Sequence, residues 1–203
     1  MGFKSIDAAL RDDLCATRED PGVRAPHLSA LLAFAPGVER IGTTMWIPLE
    51  HRPSALWLAN ALTPLAPRGG IQLRQEPPRG IAVGVRNPQI ALGPLGFRNG
   101  QWKFGNSPAA ALGLGRGALH AAGEFSALGL SVACASASLM LALAGALNQI
   151  GVAARPTEGR PRVVIVASDV AAALRRLEVC DSVAASFQRL QKAQPLTSSG
   201  SRS

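Results

Sequence analysis

Tyrosine is absent from this 203-residue chain, and aromatic residues make up only 4% of it. A core of stacked rings is therefore excluded, and the interior has to be assembled from Ala, Leu, Val and Ile. Lysine is nearly missing too: Lys4, Lys103 and Lys192 are 3 of the 21 basic residues, the rest being arginine. Cysteine is sparse. Cys15, Cys134 and Cys180 are odd in number, far apart and without a C-x-x-C pair. That pattern excludes a disulfide framework and a cysteine zinc site, and fits reduced thiols in a cytoplasmic protein. The three histidines, His27, His51 and His120, fall at no metal-ligand spacing, so no metal and no cofactor are expected. Acidic residues appear by Asp7, and an amphipathic stretch follows instead of an apolar run, which excludes a signal peptide.

Hydrophobic residues reach 47% against 17% charged, enough to bury a sizeable core and to exclude wholesale disorder. Gly (21) and Pro (15) divide that material into short elements. Residues 125–154 carry no charge, a length that can cross a bilayer. Ala, Ser, Gly and Leu dominate the run, Asn148-Gln149 close it, and neither edge has a Trp or Tyr. It reads as a strand followed by a buried helix, with no membrane partner.

The net charge is +8 and the isoelectric point about 10.9. Such a balance suits polyanions. Heavy use of Arg, Ala, Gly and Pro is also what a GC-rich genome produces, so distribution has to decide. The first 20 residues are nearly balanced. Between Arg68 and Arg116 seven bases face one acid, Glu76. Within that middle stretch Arg74, Arg79, Arg86, Arg98 and Lys103 form the candidate DNA-binding set, because cations on a curved sheet neutralise phosphates without reading bases. Trp102, between Arg98 and Lys103, reads as closing a hairpin over the core.

Pattern and punctuation predict a short amphipathic helix over 5–16, capped by Ser5, with Ile6, Leu10 and Leu14 on one face. An apolar helix follows over 26–36, then a strand at 43–49, a helix at 52–62 and strands at 70–74 and 80–86. A Gly-rich linker or hairpin occupies 93–106. Ser107-Pro108 then opens a second small-residue helix ending at Gly123. A strand at 129–135, a helix at 136–150, strands at 152–155 and 162–167 and two closing helices complete the order. The last ten residues are Ser-rich and read as a disordered tail. Gly113-Leu114-Gly115-Arg116-Gly117-Ala118 matches a dinucleotide fingerprint, but no strand precedes it and no acid follows at the needed distance. It reads as close helix packing. For His120 no Ser or Cys partner backed by an acid is evident, and it reads as a packed helix residue.

The same order of elements occurs twice, in units of about 85 residues. Each unit opens with a helix of small residues, which lets two backbones approach closely. The expectation is an α+β fold of duplicated αββαββα units with pseudo-two-fold symmetry. The first unit covers 1–92, the second 107–192, with 93–106 between and a tail over 193–203. The repeat interface is expected at Leu28, Ala30, Leu31 and Ala33 against Gly117, Ala118, Ala121 and Gly123. Paired sheets on one side of it would form a shallow, basic saddle.

The two opening helices, Leu28 to Pro36 and Gly115 to Gly123, resemble degenerate LAGLIDADG motifs. More specifically, Leu28 to Gly37 and Arg116 to Glu124 resemble the paired L-S-A-L-L and R-G-A stretches of the WhiA family of bacterial regulators, with further likeness in the opening helix and in Arg162 to Val166. The resemblance implies a homing-endonuclease fold without its catalytic acids, since Ala33, Ala35, His120 and Ala122 stand where those acids are expected, and Glu39 and Glu124 lie past the helix ends. It implies a non-catalytic regulator of transcription linked to sporulation or cell division. The partners implied are double-stranded DNA, or a DNA-binding regulator or sigma factor. No small-molecule substrate is implied. The resemblance does not extend to the family's C-terminal helix-turn-helix, which leaves either a stand-alone relative or a truncated product to be expected, so a pure protein-interaction module without DNA binding is the alternative.

Overall fold

The computed structural model describes residues 2–76 and 80–193. Helix α1 runs Phe3–Ala16 and buries Ile6, Leu10 and Leu14, the stripe its i, i+4 spacing dictates. It starts before Ser5, because the Ser5 hydroxyl donates to the Gly2 carbonyl at 2.6 Å instead of capping from outside. Helix α2 spans Pro21–Phe34. Its start lies five residues ahead of the expected Pro26 because Pro21 takes the first turn, where a missing N–H is harmless. Pro26 then sits inside the helix. Strands β1 (Glu39–Ile41) and β2 (Thr44–Leu49) form a hairpin, followed by α3 (Arg52–Leu62), β3 (Ile71–Glu76) and β4 (Gly80–Arg86). A short turn of helix α4 (Pro88–Ala91) leads into a two-stranded hairpin, β5 (Phe97–Arg98) and β6 (Gln101–Trp102).

The second half repeats this plan. Helix α5 (Pro108–Ala122) is capped by Ser107, whose hydroxyl accepts from the Ala110 N–H at 3.1 Å. Then come β7 (Gly123–Ser126), β8 (Gly129–Ala133), α6 (Ala137–Gln149), β9 (Arg155–Pro156) and β10 (Arg162–Val166). Helices α7 (Val170–Arg176) and α8 (Asp181–Ala193) close the chain. The charge-free run is thus a hairpin and a 13-residue helix, and no helix among the described residues is long and apolar enough to cross a membrane.

The two main sheets have one topology. Their strand orders are β1-β2-β4-β3 and β7-β8-β10-β9, all neighbours antiparallel. In each, the face bearing Ile47, Val83 and Val85, or Leu130, Val132 and Ile165, is buried against helices. The opposite face carries Trp46, Ala82 and Gly84, or Ser131, Arg162 and Val164. Gly84 is required there: a Cβ would come within 2.8 Å of the Trp46 ring lying across it.

Helices α2 and α5 pack lengthwise at the centre of the molecule. A methyl group on Gly117 would land on the His27 carbonyl oxygen and lie 2.7 Å from the Ala30 Cβ. One turn earlier, Gly113 has the same relation to the Val23 carbonyl and the Pro26 Cβ. Ala121 continues that face a turn later, beside buried Ala118. Leu28, Leu31 and Ala33 are buried on α2, Leu31 through its backbone against Gly117. Gly123 differs from the expectation: it caps α5 and packs on Leu119 of its own helix. Gly115 faces Leu147 and Leu177 on the far side, so the alternate glycines of the fingerprint serve two different packings and no phosphate.

Helix α1 does not belong to the first half alone. It packs on β7, α8, α3 and α5. Asp7 accepts from the Phe125 N–H at 2.8 Å, Asp13 from the Cys180 N–H at 3.0 Å, and the Phe3 ring lies 6.4 Å from that of Phe187.

Candidate functional site

The outer faces of the two sheets flank a cleft of about 410 Å³ at the C-terminal ends of α2 and α5. Pro48 from β2 and Ala133 from β8 both line it, with Glu124, His51 and Lys4. The sheet registers assign the cations on these faces. Gln72 pairs with Gly84 and Arg74 with Ala82, so Arg74 and Arg86 share one outer face. Arg155 and Arg162 take the outer face of the second sheet. Arg74 is already engaged: its guanidinium is paired with Glu76 and lies 4.3 Å over the Trp46 ring. Arg162 donates to the Ser131 hydroxyl at 2.9 Å. Arg86 and Arg155 are exposed. The acids Glu39, Glu76 and Glu124 share these outer faces, so the saddle is far less basic than the chain as a whole.

The four candidate cations among the described residues do not form one patch. Arg98 sits on the β5–β6 hairpin, and Lys103 lines a hollow beside Ala25, Pro26 and Ser29 in the first half of α2. The Ser29 hydroxyl ties that hairpin's approach to the Leu95 carbonyl at 2.6 Å. Trp102 packs on Phe97, ring centroids 4.9 Å apart. Arg79 lies outside the described residues.

At the end of α5, Arg11 of α1 reaches across. Its Nε donates to the His120 carbonyl at 3.2 Å and its Nη2 to the Gly123 carbonyl at 3.1 Å. A guanidinium thus satisfies the carbonyls that end the helix and complements its negative pole. Asp7 stands close by, its carboxyl pushed up by burial against the pull of the Phe125 N–H and Arg11. Among the described residues no three His, Cys, Asp or Glu side chains converge on a metal position.

Beneath the cleft lies an arrangement the sequence did not disclose. All three histidines join one chain of polar contacts across the α2–α5 interface. His27 Nδ1 donates to Glu19 Oε1 at 2.8 Å, His27 Nε2 meets His120 Nδ1 at 2.9 Å, and His120 Nε2 meets the Ser54 hydroxyl at 2.7 Å. Ser54 meets His51 Nδ1 at 2.7 Å, and His51 Nε2 lies 3.2 Å from Asp12. His27, Ser54 and His120 are buried, while Asp12 is 63% exposed. The Trp57 ring covers His27 and His120 at centroid distances of 4.9 and 5.2 Å, and the Arg24 guanidinium lies 5.1 Å from the centroid of the same ring. His120, read from the sequence as a plain packed residue, has a hydroxyl partner after all: Ser54 comes from another element 66 positions away, which no spacing rule reveals.

Burial pushes the His120 imidazole well below its usual range, helped by the positive fields of His27, Arg11 and His51. Burial also lowers His51, against the pull of Asp12. Glu19 goes the other way from its burial, which alone would raise it. Its hydrogen bond and charge interaction with His27, and those with Arg116, outweigh burial and hold the carboxyl below the ordinary range. Arg116 is itself buried. It donates to Glu19 at 3.1 Å, to Glu178 at 2.7 Å and to the Leu177 carbonyl at 2.8 Å. Glu19 Oε2 has no hydrogen-bond partner among the described residues.

No family model matches the chain, and no curated protein matches it. Solved structures do. Full-length DUF199/WhiA from Thermatoga maritima superposes with a TM-score of 0.66 at 12% identity, over 94% of this chain and 68% of that one. The N-terminal LAGLIDADG domain of DUF199/WhiA superposes with a TM-score of 0.63 at 14% identity, over 86% of this chain and 90% of that one. The chain therefore has the fold of the WhiA LAGLIDADG domain.

Proposed function

We propose that this chain is a non-catalytic, WhiA-like regulatory protein that acts at DNA through its two outer sheet faces. The observation that carries the non-catalytic part is Arg11. Its guanidinium occupies the end of α5, and its positive charge opposes a metal cation at the place where a nuclease of this fold would need one. Ala33, Ala35 and Ala122 offer no carboxylate in its stead. The DNA part rests on the fold likeness and on Arg74, Arg86, Arg155 and Arg162, which line the two outer faces. With Glu76 and Glu124 among them, the faces neutralise few phosphates. Transcription regulation linked to sporulation or cell division is the role this reading inherits from the WhiA likeness.

A salt titration of duplex binding tests it. Four neutralised phosphates give a slope of log K against log salt of about −3 to −4. Reversing Arg86 and Arg162 to Glu flattens that slope, and magnesium leaves plasmid DNA uncut. Binding that is absent at all salt concentrations sinks the DNA reading. It favours instead a surface for a protein partner, which the near-balance of Arg and Glu on the same faces would serve.

A further inference from the structure

At the other end of the two central helices, away from the cleft, the starts of α2 and α5 border a second hollow of about 830 Å³. Asp20 and Val23 line it from the first helix, Pro108, Ala109 and Leu112 from the second. Both helices bring their positive poles to it. A volume of that size takes a small organic ligand. Arg18, Arg24 and Arg176 also line it. Among the described residues none of these three guanidiniums is in an ion pair, although Arg24 lies against the Trp57 ring. Arg18 and Arg176 are exposed, and the acid nearest to them in the lining is Asp20, exposed as well.

The floor differs in kind. Glu19 and Arg116 belong to it, their side chains 0% and 2% exposed. Glu19 Oε1 accepts from His27 Nδ1 and from Arg116 Nη1. Glu19 Oε2 is just as buried and has no hydrogen-bond partner among the described residues. A carboxylate oxygen out of water and without a donor is costly. The charge of Glu19 is already balanced by Arg116, and Glu178, the other acid on Arg116, is 66% exposed and hydrated. Glu19 Oε2 therefore calls for a donor that carries no charge of its own, which is a hydroxyl.

We propose that this hollow binds a phosphate monoester that bears free hydroxyl groups, its phosphate among Arg18, Arg24 and Arg176 and one hydroxyl donating to Glu19 Oε2. Three cations less Asp20 leave two positive charges at the rim, close to the charge of a phosphate monoester at neutral pH. Guanidinium forks also match phosphate oxygens in pairs. A simple carboxylate leaves half of that charge unanswered. Sugar phosphates and nucleotides share the required chemistry. The site stands apart from the outer sheet faces and does not rest on the DNA reading. Its lining comes from the end of α1, the starts of α2 and α5, and α7, so a ligand seated there bridges both halves of the chain.

Titration calorimetry of the full chain with ribose 5-phosphate, adenosine 5′-monophosphate, methyl phosphate and inorganic phosphate tests it. The tighter of the two hydroxylated esters should bind about tenfold more strongly than methyl phosphate, the equivalent of one hydrogen bond to a charged acceptor. Which of the two is tighter tells a sugar phosphate from a nucleotide. Arg18→Ala and Arg176→Ala should each weaken that binding about tenfold. Arg160→Ala, which removes the same charge at an exposed position outside the hollow, should leave it within about twofold. Glu19→Gln exchanges the charged acceptor for an amide and should shrink the margin over methyl phosphate to about threefold or less. Glu19 is buried, so the exposed arginine variants decide the matter even where its variant fails to fold. No binding at millimolar concentration, equal affinity for methyl phosphate and both hydroxylated esters, or an affinity that Arg18→Ala and Arg176→Ala leave unchanged overturns the proposal.

Discussion

Placing a methyl group on Gly117 probes the closest approach in the molecule. On an isolated helix the change from Gly to Ala stabilises by about 1 kcal/mol. In α5 the added Cβ meets backbone: the His27 carbonyl oxygen, with Leu31 N at 2.9 Å and the Ala30 Cβ at 2.7 Å. None of these atoms can rotate aside, so α2 and α5 must move apart. Overpacking of that kind costs roughly 1–3 kcal/mol, and rigid backbone puts it at the upper end. Gly117→Ala is therefore expected to destabilise by about 2 kcal/mol net. The control is Gly145→Ala in the exposed part of α6, where an added Cβ meets nothing within 4 Å. There the helical gain of about 0.5–1 kcal/mol stands alone. The same chemical change thus carries opposite signs at two mid-helix sites, with a gap of about 3 kcal/mol. For a chain of this size that separates the two melting temperatures by roughly 6–12 °C. Thermal unfolding followed by circular dichroism measures it. If Gly117→Ala melts at or above Gly145→Ala, the tight α2–α5 contact is not what holds the halves together.

Two further outcomes follow from the buried groups. Arg116→Met leaves the Glu19 carboxylate without its guanidinium, in a site where its side chain has no exposure, and should lower stability by about 3–5 kcal/mol in urea denaturation. The pH dependence of stability has a defined sign. His120 is held neutral in the folded protein well below its ordinary value of 6.5, so between those two pH values the unfolded chain binds more protons. Stability contributed by neutral His120 is full above about pH 6.5 and falls with acidification at about 1.4 kcal/mol per pH unit. Glu19, whose carboxyl is depressed, adds a loss only below its ordinary range near 4.5. His120→Gln should flatten the first limb in a series of denaturation curves from pH 7 to 3 and leave the second. An unchanged slope in that variant would place the acid sensitivity elsewhere.

The periodic parts of the fold were open to reading in the sequence. Ile6, Leu10 and Leu14 mark α1, Ser107-Pro108 marks the start of α5, and Ala-Gly-rich helices announce close backbones. Strands β1 and β7 were missed for a physical reason: at three and four residues they are too short to show alternation, and β1 is exposed throughout. The extended start of α2 was hidden by Pro26, because a proline favours a first turn and costs a hydrogen bond inside a helix, whereas here the helix already begins at Pro21 and runs through it. The basic set was only partly legible. Alternation shows which residues of a strand share a face, but not that Arg74 would be paired with Glu76, or that Arg98 and Lys103 would sit on a separate hairpin. The chain of polar contacts through the three histidines was out of reach altogether. Its members come from α2, the turn before α3, α3 itself and α5, and only tertiary packing brings them within hydrogen-bond distance.

Helix α1 has an order-of-assembly consequence. Its contacts through Phe3, Asp7, Arg11 and Asp13 are with Phe187, Phe125, the end of α5 and Cys180. Its contact with α3 is available early, but its partners on β7, α5 and α8 lie far along the sequence, so its docking is completed only after the second half has been made. Helices α1 and α8 fasten each other, and together they work as a clasp laid across both repeats.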